Sequence, residues 1–248
     1  MSRANDTSTD PAGIRWESRR AKRHADEIAF NAIKRWAVPR KYTEILSFPA
    51  ADWGWESYYA QVFPEGSLDF YGLEQDHRIH PEMVKRAEVR PTGLHKRHAL
   101  EPITRPCSFK DYARGYDAEA LGAFDMIYLD WMGTWSADKE EQVRLMFNQG
   151  MLGSDSIFRF TVSLLRGKPA KWEEACADYE HRGYHIADIR GGGCEVPEWR
   201  THGVPALVEH LGSLAGYQVR TIAAQLYYTY GKTHTTPQGS FMFRVKKK

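Results

Sequence analysis

Three acidic residues and one glycine, far apart in the chain, carry the clearest capacity for chemistry. Asp52 and Gly54 lie in the turn Pro49-Ala50-Ala51-Asp52-Trp53-Gly54-Trp55. Small residues there, Ala51 and Gly54 after Pro49, let backbone approach a ligand closely. Glu74 follows about 20 residues later, the distance at which a carboxylate after a second strand accepts hydrogen bonds from ribose hydroxyls. Asp130 ends the apolar run Phe124–Leu129. It could orient, or take a proton from, a nucleophilic amine or hydroxyl, a step in which proximity supplies much of the rate. Trp131 and Trp135 beside it could sandwich a planar substrate. Trp53 and Trp55 could stack on a base, or fill the site instead. Cys176, His181, His185 and Cys194 have a spacing loosely like a structural zinc site. Their order is not that of a standard finger, and no metal is expected.

These residues need a scaffold that brings them to one edge. Tyr42–Phe48 reads as a strand, Glu56–Phe63 as a short helix and Asp69–Leu73 as a second strand, a β–turn–α–β unit ending at Glu74. Pro81–Ala87 suits a helix with proline in its first turn. Gly93–Leu100 reads as a polar third strand. Phe124–Leu129 has the near-continuous apolar run of a buried parallel strand, with Asp130–Ser136 as the loop beyond it. Ser136 suits an N-cap, and Val143, Met146, Phe147 and Gly150 recur at helical intervals. Asp155–Leu165 reads as a fifth strand and Pro205–Leu214 as an amphipathic helix stopped by Gly216. Tyr217–Tyr230 is a long strand, Thr235–Gly239 a turn, and Ser240–Val245 a last strand.

On these residues the chain resembles the class I S-adenosylmethionine-dependent methyltransferases. Their first strand ends in a glycine-rich turn and their second in an acid that holds the ribose. Phe124-Asp125-Met126-Ile127-Tyr128-Leu129-Asp130 is similar to their fourth strand, whose terminal acid faces the methyl group. The resemblance implies an α/β fold: a Rossmann-like, mostly parallel seven-stranded sheet with helices on both faces and a C-terminal antiparallel strand pair. It implies S-adenosylmethionine as cofactor, with Pro49, Ala51, Asp52, Gly54 and Glu74 around it and Asp130 as the catalytic acid. The turn departs from the family pattern. Ser47 stands where an acid is expected, and Gly54 is its one glycine. That departure motivates a second hypothesis, a non-catalytic descendant of the fold that binds nucleic acid or serves assembly.

Composition limits the rest. The 248 residues, 42% hydrophobic and 27% charged, suit one globular α/β domain. We divide them into a polar tail and basic N-terminal helical arm, residues 1–40, and a methyltransferase-like domain, residues 41–248. The net charge of +2 does not mark a general polyanion binder. The charge is uneven, however: Arg15–Lys41 holds nine Lys/Arg against three Asp/Glu. Its helical face of Ile28, Ala29, Ala32, Ile33 and Trp36 would pack on the sheet. Arg19, Arg20 and Arg23 would be left to contact DNA or RNA phosphates through counterion release. Three scattered cysteines form no disulfide framework. No apolar run approaches the roughly 20 residues that span a bilayer. A cytoplasmic protein is the expectation.

Overall fold

The computed structural model describes residues 26, 27, 29, 31, 33, 42–49, 53–56, 59, 67–89, 99–163, 203–230 and 235–248. Its strands are β1 (Tyr42–Ser47), β2 (Ser67–Gly72), β3 (Ala99–Pro102), β4 (Phe124–Thr134), β5 (Leu152–Ser163), β6 (Tyr217–Tyr230) and β7 (Thr235–Lys247). The labelled helices are α1 (His80–Val89), α2 (Phe109–Arg114), α3 (Ala118–Leu121), α4 (Ala137–Asn148) and α5 (Val204–Leu214). Asp26, Glu27, Ala29, Asn31 and Ile33 are also helical, as are Gly54, Trp55, Glu56 and Tyr59.

The strands form one sheet in the order β3-β2-β1-β4-β5-β7-β6. β1 to β5 run parallel to one another, and β7 runs antiparallel to both β5 and β6. The chain winds outward from β1 to β3, then returns to lay β4 on the other side of β1. Open α/β sheets bind ligands at such a reversal, outside the carboxyl ends of the strands, here those of β1 and β4.

Each face of the sheet carries its own core. One joins Leu46, Ile127, Leu129, Phe158, Phe160, Phe241 and Phe243 to α2, α4 and α5. The other joins Ile45, Phe70, Met126, Ile157 and Met242 to Ala29, Ile33, Trp53, Trp55, Tyr59, and to Met83 and Ala87 of α1. Alternation along each strand makes the division: Ile45 and Leu46 are both fully buried yet belong to different cores.

Several expected boundaries move, three of them with structural consequences. The third strand is only Ala99–Pro102, and residues 90–98, most of the expected Gly93–Leu100, lie outside the described ones. β4 runs on through Thr134, so Asp130 and Trp131 are strand residues rather than loop. Pairing with β5 resumes at Thr134↔Ser163 after an irregularity that includes Gly133, whose φ is 76. Pairing and burial thus override the polar sequence. Thr235–Gly239 is strand, not turn, paired from Tyr230↔Thr235 to Leu226↔Gly239. Pro237 is tolerated because pairing of β7 with β5 stops at Gln238, leaving that side of Pro237 an edge.

A candidate cofactor crevice at the reversal point

Register sets Gly72, Ser47 and Tyr128 side by side across β2, β1 and β4. Glu74 and Asp130 each lie two residues beyond that row, at the same edge, on the strands flanking β1. Two strand spacings separate them, about 10 Å.

At the tip of β1 the Ser47 hydroxyl donates to Glu56 Oε1 at 2.5 Å, and Glu56 is only 1% exposed. The strand position expected to hold an acid therefore receives a carboxylate from the helical residues that follow. Sequence reasoning missed Glu56. Its signal was spacing: a helical acid shortly after a strand-end serine can turn back onto it.

Asp52 and Ala51 lie outside the described residues. Pro49 and Gly54 are buried at the β1 end. Trp53 is the one non-glycine residue among the described ones with a positive φ, 52. Its indole is fully buried and donates from Nε1 to the Met83 carbonyl at 2.9 Å. Trp55 stacks on Tyr59 at 4.9 Å and leans on Tyr128 at 4.8 Å. Both indoles fill the layer between sheet and helices, so neither is free to stack on a ligand. Trp53 also explains Gly72, where an added Cβ would stand 2.4 Å from its ring.

Glu74 closes its own loop. Oε1 accepts the Asp76 N–H at 2.8 Å, and the backbone carbonyl accepts the Cys107 N–H at 3.1 Å. Oε2 has no partner among the described residues and suits a ribose hydroxyl. Next to it, the Arg78 guanidinium hydrogen-bonds Asp76 and holds that carboxyl well below the usual range.

Where the continuous pairing of β4 with β5 ends, the Thr161 hydroxyl donates to Asp130 Oδ1, fixing that carboxylate against β5. Trp131 and Trp135, expected to sandwich a substrate, are instead packed against Phe160 at 5.3 and 5.5 Å. Trp131 Nε1 donates to Gln142 of α4 at 2.9 Å. α4 starts as expected, with Ser136 accepting the Lys139 N–H. Lys139 reaches back with Nζ to the Thr134 carbonyl at 2.5 Å, and burial lowers its pKa.

Arg19, Arg20 and Arg23 lie outside the described residues, as do Cys176, His181, His185 and Cys194. Among the described residues no group of three or more His, Cys, Asp or Glu could hold a metal. No helix among them is long and apolar enough to cross a membrane. From the basic segment, Ala29 and Ile33 pack into the core as expected. Asp26 was not anticipated: it is fully buried against the equally buried Arg159. Arg159 also donates to Ser240 Oγ from Nε and Nη2, and lies 4.5 Å over the Tyr128 ring.

No protein-family model matches the chain, and no curated protein matches it. Solved structures do. A "putative sarcosine dimethylglycine methyltransferase" from Galdieria sulphuraria superimposes with a TM-score of 0.52 at 11% identity, over 90% of this chain and 86% of that one. The "putative transferase PH0793" from Pyrococcus horikoshii gives 0.47 at 11% identity, over 88% of this chain and 64% of that one. P. horikoshii TYW2 in complex with MeSAdo gives 0.46 at 10%, over 84% and 58%. The chain thus spans about three-fifths of the length of the two Pyrococcus proteins. What the Galdieria protein establishes is the fold, a Rossmann-like class I methyltransferase sheet.

Proposed function

We propose that the chain binds S-adenosylmethionine in the β1–β4 crevice and transfers its methyl group to a nucleic acid. The observation that carries this is the placement of Glu74 and Asp130 at one edge, on either side of β1, with an oxygen of Glu74 unengaged among the described residues. A ribose diol fits Glu74, as a charged acceptor makes strong bonds to hydroxyls. When bound, S-adenosylmethionine supplies an electrophilic methyl on a sulfonium. The residues position the partners. Glu56 and Ser47 brace the end of β1, and Glu74 orients the ribose. Asp130, steadied by Thr161, accepts a hydrogen bond from the nucleophilic amine or hydroxyl and aligns it. Such alignment is the main demand of the transfer.

Support for a nucleic-acid acceptor is the charge of Arg15–Lys41. One of that segment's three acids, Asp26, is sequestered by Arg159. Calorimetry with S-adenosylmethionine and S-adenosylhomocysteine tests the cofactor: saturable heat with either supports it, and none from folded protein removes it. Reversing Arg19, Arg20 and Arg23 to Glu should weaken DNA or RNA binding and flatten its salt dependence. Binding indifferent to salt would remove the acceptor.

A further inference from the structure

β5 alternates strictly over Phe158-Arg159-Phe160-Thr161-Val162-Ser163. Its phenylalanines and valine enter one core. Arg159, Thr161 and Ser163 face the other side, at 0, 2 and 4% exposure. Strands covered on both faces are ordinarily apolar on both. Register extends the polarity sideways. Thr161 pairs with Asp130 on β4 and with Ser240 on β7, and Ser240 pairs with Gln225 on β6. One step nearer the carboxyl edge of β5, Ser163 pairs with Gln238. Asp130, Thr161, Ser240 and Gln225 therefore make one row across four strands, on the face that carries Tyr128 and Arg159.

Part of the row is internally bonded: Thr161 to Asp130, and Arg159 to Ser240. The rest is not. Ser163 Oγ and both amide atoms of Gln225 are buried with no hydrogen-bond partner among the described residues, a condition shared on the other face by Trp135 Nε1. Buried polar atoms are nearly always satisfied, and one that is not calls for an explanation such as a missing ligand. Packing alone does not supply one, since an alanine at 163 or a methionine at 225 would fill the same space without the penalty.

We propose that this row is the floor of an acceptor subsite for a planar, uncharged group with a hydrogen-bond donor beside an acceptor, the pattern on a nucleobase edge. It rests on the methyl-transfer reading, because Asp130 forms its inner end. The Gln225 amide offers one acceptor and a donor pair in fixed geometry, the match for a base edge. An anion is disfavoured here, because Arg159 is already paired with Asp26 and Asp130 would repel it. Three strand spacings separate Asp130 from Gln225, about 14 Å. A ligand touching both is longer than a single base, so Gln225 and Ser163 hold a base next to the group presented to Asp130.

The test uses the full chain labelled with nitrogen-15. Cytidine and uridine serve as probes: they lack phosphates for the basic arm and share no base with the cofactor. S-adenosylhomocysteine is titrated separately. Either nucleoside should shift the Gln225 side-chain amide resonances saturably. Gln225→Met and Ser163→Ala should each weaken that binding about tenfold while raising the urea midpoint of unfolding. No saturable shift with either nucleoside, alongside normal S-adenosylhomocysteine binding, overturns the subsite alone. Variants that lose stability would also overturn it, since the groups would then serve folding. Nucleoside binding without S-adenosylhomocysteine binding would leave the base site standing and remove the transferase reading beneath it.

Discussion

Gly72→Ala should be costly, chiefly because of Trp53. A Cβ at residue 72 would lie 2.4 Å from Trp53 Cη2, and 2.9 Å from both Trp53 Cζ2 and Pro49 Cγ. Carbon pairs rest at about 3.5–4.0 Å, so the indole would have to withdraw by about 1 Å. It is held in place by its bond to the Met83 carbonyl and by complete burial. Overpacking of this kind costs about 1–3 kcal/mol. Against it stands the gain of about 0.4–1 kcal/mol from restricting the unfolded chain. We expect a net loss of about 1–2 kcal/mol by urea denaturation at unchanged m. Trp53→Phe shortens the offending ring and has its own cost in packing and in the lost Met83 bond. Adding Gly72→Ala to Trp53→Phe should then cost clearly less than Gly72→Ala alone, the Pro49 contact remaining, giving a coupling of about 1 kcal/mol. Strictly additive effects would refute the claim that Trp53 dictates glycine at 72.

Other outcomes follow from the same contacts. Arg159→Met should cost about 3–5 kcal/mol in urea by stranding buried Asp26, and adding Asp26→Leu should restore most of it; a double variant as unstable as the single would refute the pairing. Burial, then the neighbouring Asp125, raise the pKa of Glu44 from its ordinary 4.5. Folded protein then holds that proton more tightly than unfolded protein, so stability is lost as pH rises from about 4.5 through the folded value. Glu44→Gln should therefore raise the thermal midpoint at pH 7 and leave it unchanged near pH 4; an equal rise at both would refute the charge origin. Glu74→Gln keeps an oxygen for the Asp76 N–H but loses the charged acceptor. It should weaken S-adenosylhomocysteine binding about tenfold by calorimetry, with little change in melting.

The strands were legible where one physical signal ruled. The apolar run of β4, the alternation ending β7 and the Ser136 cap of α4 all stand where their patterns place them. Tyr217–Tyr230 matches to the residue. What the sequence concealed depended on partners distant in the chain. Asp130 reads as a loop acid until β5 pairs with it, and Trp131 and Trp135 read as a candidate substrate sandwich until Phe160 covers them. Arg159 sits in the polar phase of a plain alternation, and nothing local announces that Asp26, 133 residues away, will meet it indoors. The mostly parallel sheet with its closing antiparallel pair came from the family resemblance and not from the residues of any one strand.

The Asp26–Arg159 pair also works as a mooring. It ties the basic segment to β5, on the face that bears the polar row. Arg23 and Arg19 precede the tie by three and seven residues, and an extended chain covers at most about 3.5 Å per residue. Their backbones thus stay within about 10 and 25 Å of the Asp26 backbone. A nucleic-acid strand held by them would be kept at high local concentration over this side of the sheet rather than free to roam the surface.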